Sequence, residues 1–208
     1  MLLVLTGGTG GAKLIQGFSH EVDCAELTIV CNTADDFVLH GLHISPDLDT
    51  VMYTLAGISD PVKGWGIQDD TFTVLHQLEK LGAEAWFKLG DRDIATHIMR
   101  TRLLDAGLKL SDVTERLRNN LGIKARLLPM SDDEIETRIE TLAGEISFQE
   151  YFVKQRWQPE VKKVFYAGVE KSRPAPGVVG AIHDAEKIVI CPSNPVTSIG
   201  PILAIPGI

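Results

Sequence analysis

Leu2-Leu3-Val4-Leu5-Thr6-Gly7-Gly8-Thr9-Gly10-Gly11-Ala12-Lys13 opens the chain and decides the fold. Leu2–Leu5 is an apolar, strand-like run that empties directly into glycines. A helix-compatible stretch, Leu14 to Phe18, follows. Glycine lets the backbone turn tightly and bring its N–H groups against an anion. The start of the helix adds unpaired donors and the positive end of a dipole. Strand, glycine loop and helix together point to a phosphate-bearing ligand beside Gly7–Gly11.

The loop matches neither common phosphate motif in full. A P-loop needs Gly-Lys-Ser/Thr in succession, and here Ala12 separates Gly11 from Lys13. The dinucleotide pattern G-x-G-x-x-G fits Gly8 and Gly10, but Lys13 stands where the third glycine belongs. The second strand, Leu27–Cys31, ends in Asn32-Thr33 rather than in the acid that grips a ribose. NAD binding is therefore disfavoured. A tight βα connection with no ligand is the structural alternative.

The 208 residues suffice for one α/β domain with at most a small appendage. A chain of this size buries roughly 70% of its unfolded surface, so it needs no disulfide or metal staple. Cys24, Cys31 and Cys191 lack metal-ligand spacing and read as small hydrophobes of a reducing, cytoplasmic protein. No signal peptide is expected, and no apolar run approaches the ~20 residues of a membrane span. A net charge of −8 argues against a nucleic-acid surface, though not against a nucleotide. Pro201–Ile208 is apolar and has no polar tail, so the chain is expected to be the N-terminal part of a longer protein.

Strand Leu2–Leu5, helix Ala12–Phe18 and strand Glu26–Cys31 form a βαβ start, which implies a parallel sheet. Short strands are expected at Phe37–Leu39 and Leu42–Ile44. Helices are expected at Asp47–Leu55, with Asp47 as cap, at Asp69–Leu81, at Asp93–Leu104, and from Ser111, as cap, to Leu121. Ala125–Leu128 reads as a strand. Ile135–Leu142 pairs with Glu145–Phe148 across Ala143-Gly144. Glu150–Gln155 reads as helix, Val161–Tyr166 as strand and Pro176–Asp184 as helix. Lys187–Cys191 looks like a strand buried inside a parallel sheet. The expected fold is an open, mostly parallel, Rossmann-like α/β sheet with flanking helices. It forms a single nucleotide-binding domain over 1–208, with a small helical and β insertion around 60–160.

Ligands of open α/β sheets bind beyond the carboxyl ends of the strands. Asn32-Thr33-Ala34-Asp35-Asp36 stands at such an end and should share a crevice with the glycine loop; an Asx turn is the plainer reading. In Ser45-Pro46-Asp47-Leu48-Asp49-Thr50, Asp47 as cap leaves Asp49 for chemistry or metal. Lys88-Leu89-Gly90-Asp91-Arg92-Asp93 precedes a helix and suits a phosphate or metal-phosphate, or else a surface ion-pair cluster. His97 shares a helical face with Asp93. Ser193-Asn194, with Ser198 further along, lie in a proline-stiffened loop suited to a phosphate or ribose. Met130-Ser131-Asp132-Asp133 is a similar polar loop. No Ser-His-Asp order or zinc spacing stands out. Aspartates, a few bases and glycine amides are the equipment of magnesium-assisted phosphoryl transfer.

Four stretches together resemble the 2-phospho-L-lactate transferase family of coenzyme F-420 biosynthesis. They are Gly7–Leu14, Ser45–Thr50, Lys88–His97 and Pro192–Gly200. Trp65-Gly66-Ile67, Leu128–Asp133 and Phe148-Gln149 fit the same pattern in order. The resemblance implies a magnesium-dependent transferase whose chains run well beyond a position like Ile208, and a homodimer. It joins the deazaflavin FO to a phosphorylated three-carbon acid carried on guanosine diphosphate. The terminal ribityl hydroxyl attacks the acid-bearing phosphorus and GMP leaves. The acid is phospholactate, phosphoenolpyruvate or phosphoglycerate. With that chemistry, Asp49 is the candidate to orient or deprotonate the hydroxyl, and Lys88 to contact FO or the transferred phosphate. Asp35 joins them at FO. Gly7, Gly8, Thr9, Gly10, Gly11, Lys13, Ser193, Asn194 and Ser198 are the nucleotide and phosphate candidates; Asp47, Asp49 and Asp91 are the metal candidates. Non-catalytic nucleotide-sugar-binding regulators of carbon metabolism share a similar glycine loop. The Ser45–Thr50 and Lys88–His97 stretches favour the transferase.

Overall fold

A computed structural model describes residues 1–208. In chain order, β1 (Leu2–Thr6) leads to α1 (Thr9–Glu21), β2 (Leu27–Cys31), and the hairpin β3 (Phe37–Leu39) and β4 (Leu42–Ile44). Four helices follow: α2 (Pro46–Leu55), α3 (Thr73–Lys80), α4 (Asp91–Asp105) and α5 (Leu110–Asn120). Then come β5 (Arg126–Pro129), β6 (Glu136–Thr141), β7 (Gly144–Ser147) and β8 (Val161–Ala167). The chain closes with α6 (Val178–Asp184), β9 (Lys187–Ile190) and α7 (Gly200–Ala204). The main sheet is parallel, in the order β5-β2-β1-β9, while β7-β6-β8 form a separate antiparallel sheet. The expected open, mostly parallel α/β architecture is observed.

Alternation along the strands covers both faces of the main sheet. Val4, Leu27, Ile29 and Leu127 pack with Ala12 and Ile15 of α1, Val51 and Met52 of α2, and Val113 of α5. Leu3, Leu5, Val30 and Leu128 turn the other way, against Val178 of α6 and Ile202 of α7. Burial on both faces makes β1 and β2 read as mostly apolar runs, interrupted in β2 by Thr28. Each fully buried Leu or Ile contributes about 1.5–3 kcal/mol, so this double core holds the strand ends in place. No helix is long and apolar enough to cross a membrane.

Several boundaries differ from the sequence expectations. α1 begins inside the glycine stretch, so Gly10 and Gly11 are helical. A Cβ on Gly10 would collide with the Pro192 carbonyl, and one on Gly11 with Thr6 Oγ1. Close packing alone therefore demands these two glycines. β9 is an edge strand, not a buried one: Ile188 and Ile190 are 49% and 56% exposed, because β9 pairs only with β1. Glu150–Lys154 forms a π-helical turn. Ser45, not Asp47, occupies the N-cap of α2, with Pro46 in the first turn. Lys109 holds that place in α5, and Asp132 accepts from the Ser111 amide at 2.7 Å.

Distant carboxylates also cap α3 and α4. Asp70 accepts the amides of Arg92 and Asp93 at the start of α4. Asp91, the first residue of α4, accepts the amides of Thr73 and Val74 at the start of α3. Each helix start is thus closed by an acid from beside the other, and the two helices are tied into one unit. Asp70→Ala is expected to lower stability by about 1 kcal/mol, the usual cost of a lost cap. A shift in the urea midpoint without a change in slope checks it.

Candidate functional site

The carboxyl ends of β1, β2 and β9 deliver three polar segments to one place. The Gly7 amide donates to Ser193 Oγ at 3.1 Å. Asn32 is fully buried just past β2. Its Nδ2 donates to Asp35 and Asp47, each at 3.0 Å, and lies 3.3 Å from the Thr197 carbonyl. Its Oδ1 accepts the Ala34 amide at 3.0 Å. The Asx turn therefore exists, and the same turn presents Asp35 to the crevice. Asn194 Oδ1 accepts the amides of Val196 and Thr197, shaping the loop after β9.

The crevice holds about 450 Å³. Gly8, Thr9, Asp35, Asp47, Asn194, Thr197 and Ser198 line its polar part. Trp65, Phe87, Phe148 and Phe152 form an apolar wall beside the exposed Lys88. Phe148 and Phe152 stack at 5.4 Å. A larger hollow of about 780 Å³ lies elsewhere, lined by Asp36, Trp86 and Ile135. It contains none of the glycine-loop residues, so the smaller crevice is the better candidate. Trp86 belongs to that hollow, stacked on Phe37, whereas Phe87 reaches the crevice.

The candidates separate by position. Gly8, Thr9, Asp35, Asp47, Lys88, Asn194 and Ser198 meet in the crevice. Gly7 and Ser193 support it through their hydrogen bond, while Gly10 and Gly11 are taken up by packing. Lys13 opens on a neighbouring polar depression with Asp60 and Gln68. Asp91 sits at the α3–α4 junction, where hydrogen bonds from Thr71 and the α3 amides hold its carboxyl down at about 2. Asp49 lines a small adjoining hollow of about 50 Å³ that shares Trp65, Phe87 and Lys88 with the crevice. Both its oxygens pair with the buried guanidinium of Arg100. Asp47 stands beside Gly8, close enough that a Cβ there would lie 2.5 Å from its Oδ1.

Two acid clusters bear on a metal. Asp49, Asp93 and His97 bring ligating atoms within 4.8 Å of one another, a spacing compatible with one ion. Arg100 and the Tyr53 hydroxyl, 2.7 Å from Asp93, already engage these carboxylates. Asp35 and Asp47 share the Asn32 amide; the Gly8 amide also favours the Asp47 carboxylate, and the buried Thr137 hydroxyl favours that of Asp35. Two carboxylates lining one crevice with no arginine or lysine paired to either fit a hard cation with oxygen ligands. Burial, first, raises the Asp47 carboxyl to about 7; nearby Asp36 adds to the rise, while Asn32 and the Gly8 amide oppose it. Burial and the Asp47 charge push Asp35 well up as well.

Residues 2–208 match the family model for 2-phospho-L-lactate transferase CofD. The chain belongs to this family. Across the whole chain it is 50% identical to a phosphoenolpyruvate transferase of Streptomyces griseus, covering 67% of that protein. It is 45% identical to a 2-phospho-L-lactate transferase of Methanosarcina mazei, over 99% of this chain and 68% of the relative. The chain thus spans about two thirds of the length of these curated relatives. A crystal structure of a UPF0052 family member from Bacillus halodurans superimposes with a TM-score of 0.64 at 20% identity, covering 99% of this chain and 63% of that one. That likeness concerns the fold alone. Within the CofD family pattern, Arg100 escaped the sequence reading. The signal was present: Asp93, His97 and Arg100 follow one another at helical spacing on one face of α4, and all are buried.

The acid pair makes folding pH-dependent. An unfolded Asp titrates near 4, while Asp47 in the fold titrates at about 7. Folding therefore takes up protons between these values, and stability falls as pH rises from about 4 to about 7. Asp47→Asn is expected to flatten this slope. Urea titrations of both proteins across that range, with chelator present, check it.

Proposed function

We propose that this chain carries the acceptor and diphosphate sites of a magnesium-dependent transferase of coenzyme F-420 biosynthesis. In this reading a phosphorylated three-carbon acid moves from a guanosine diphosphate carrier to the ribityl hydroxyl of FO. The hydroxyl oxygen bonds to the acid-bearing phosphorus, the bond from that phosphorus to the bridging oxygen breaks, and GMP leaves with that oxygen. The carrying observation is the Asp35–Asp47 pair, drawn together by Asn32 between glycine loop and aromatic wall.

Each residue then has a physical task. The start of α1 and the hydroxyls of the Ser193–Ser198 loop receive the diphosphate. The wall of Trp65, Phe87, Phe148 and Phe152 suits a flat tricyclic ring, which gains from stacking and burial. A magnesium ion held by Asp35 and Asp47 supplies neutralisation of the diphosphate charge. With the cation bound, Asp47 is a carboxylate placed beside Gly8 to orient the ribityl hydroxyl, whose proton passes to water in the open crevice. Lys88 offers a positive charge to the transferred phosphate. Asp49, nominated from the sequence for the proton, acts in this reading from behind α2, through Arg100. Both phosphoenolpyruvate and phospholactate fit the stated acid class. Three unpaired thiols suit a reducing cytoplasm.

Asp47→Asn keeps size and hydrogen-bonding shape but removes the charge. It is expected to cut FO phosphodiester formation by ~10²–10⁴, measured by liquid chromatography with magnesium and a guanylated three-carbon donor. FO fluorescence should still change on titration. Turnover within a few-fold of wild type removes Asp47 from the chemistry. Nucleotide-sugar binding without any FO response favours a regulator instead.

A further inference from the structure

Arg100 is the largest fully buried side chain of the protein, and it stands behind the crevice rather than in it. Its Nη1 donates to Asp49 Oδ2 at 3.1 Å, and Nη2 pairs with Asp49 Oδ1. Nη1 also lies 3.4 Å from the His43 carbonyl and 3.2 Å from His97 Nδ1. His97 Nε2 lies 3.2 Å from Asp93 but is buried without a hydrogen-bond partner. Asp93 in turn accepts from the Tyr53 hydroxyl of α2. The buried face of α4 thus grips α2 at Asp49 and Tyr53, and β4 at His43.

Both grips lead to the acid pair. Asp47 lies two residues before Asp49, in the first turn of α2. Asp35 precedes Asp36, whose carboxylate accepts from Ser45 Oγ at 2.6 Å and lies 3.2 Å from His43 Nε2. α2 already buries Leu48, Val51 and Met52, so apolar packing holds it to the sheet without any ion pair. A buried ion pair is a poor source of stability. What a bidentate guanidinium adds is direction, since its planar fork fixes the carboxylate it meets.

We propose that Arg100 is a positioning residue. Through Asp49 and His43 it holds α2 and the segment after β2 in the arrangement that keeps Asp35 and Asp47 together on the Asn32 amide, where they would receive one divalent cation. This rests on the reading of that pair as cation-binding. Lysine keeps the charge but loses the fork, so Arg100→Lys isolates geometry from electrostatics.

The test is Mn²⁺ affinity by electron paramagnetic resonance in the presence of GDP, with melting temperature recorded alongside. Val51→Ala loosens the same helix from the core and serves as the control for lost stability. R100K is expected to weaken Mn²⁺ binding by about 2- to 30-fold, the range for a residue that acts on a site through intervening contacts. V51A should melt earlier yet bind Mn²⁺ as wild type does. If R100K does not fold, D49N replaces it with the same expectation; failure of both to fold makes the pair structural and overturns the proposal. Equal Mn²⁺ affinity in R100K and V51A also overturns it. D47N separates the two readings. If D47N abolishes Mn²⁺ binding and R100K does not weaken it, only the positioning role falls. If D47N binds Mn²⁺ normally, the cation reading falls and this one with it.

Discussion

The side-chain amide of Asn32 has two hydrogens and faces three acceptors: Asp35, Asp47 and the Thr197 carbonyl. The segment after β2, the first turn of α2 and the segment after β9 meet on this one group. Two of the acceptors are carboxylates, Asp35 buried and Asp47 half-buried at the crevice. Like charges so close do not ionise together without help, and the pair resolves the conflict with a proton or a cation. That constraint sets the character of the crevice. It attracts positive charge at one end, although its proposed ligand is an anion.

The glycine loop meets the other half of that requirement. The amides at the start of α1 have no partner inside the helix, and the helix dipole adds positive potential there. Yet the glycines themselves are explained in part without any ligand. Gly10 and Gly11 allow α1 to lie against the Pro192 carbonyl and Thr6, which lets the β9 loop approach the β1 loop. The same close approach sets Ser193 against the Gly7 amide. Packing of β1 against β9 and construction of an anion site are therefore one structural event.

Much of this was legible in the sequence because it is local. β1, β2, the short hairpin and α2 follow from apolar patterning and turn residues over a few positions. The rest depends on partners far along the chain. No local pattern announces that Asp70, Asp91 and Asp132 close helices 20 or so residues away. The apolar run of β9 does not state how many neighbours it has, and one neighbour leaves its isoleucines exposed. The exchange of Asp47 and Asp49 has a sharper cause. Residues two apart point about 200° from each other on a helix. Once Ser45 takes the N-cap and α2 starts at Pro46, Asp47 turns to the crevice and Asp49 to α4. A cap misplaced by two positions thus exchanges the faces of the two acids.

The position of Asp49 also bears on why a buried charge is kept here. An apolar residue at 49 facing an apolar residue at 100 leaves α2 packed on the sheet by Leu48, Val51 and Met52. Apolar packing fixes the distance of a helix from the sheet more firmly than its roll, because its contacts carry no direction. An ion pair with two hydrogen bonds, and a tyrosine hydroxyl one turn further along, fix the roll. At most helices a few degrees of roll matter little. At α2 a small rotation moves Asp47 relative to Asp35, and a small hard cation tolerates little error in ligand geometry. The polar face of α4 is therefore best understood as the part of the core that sets an angle.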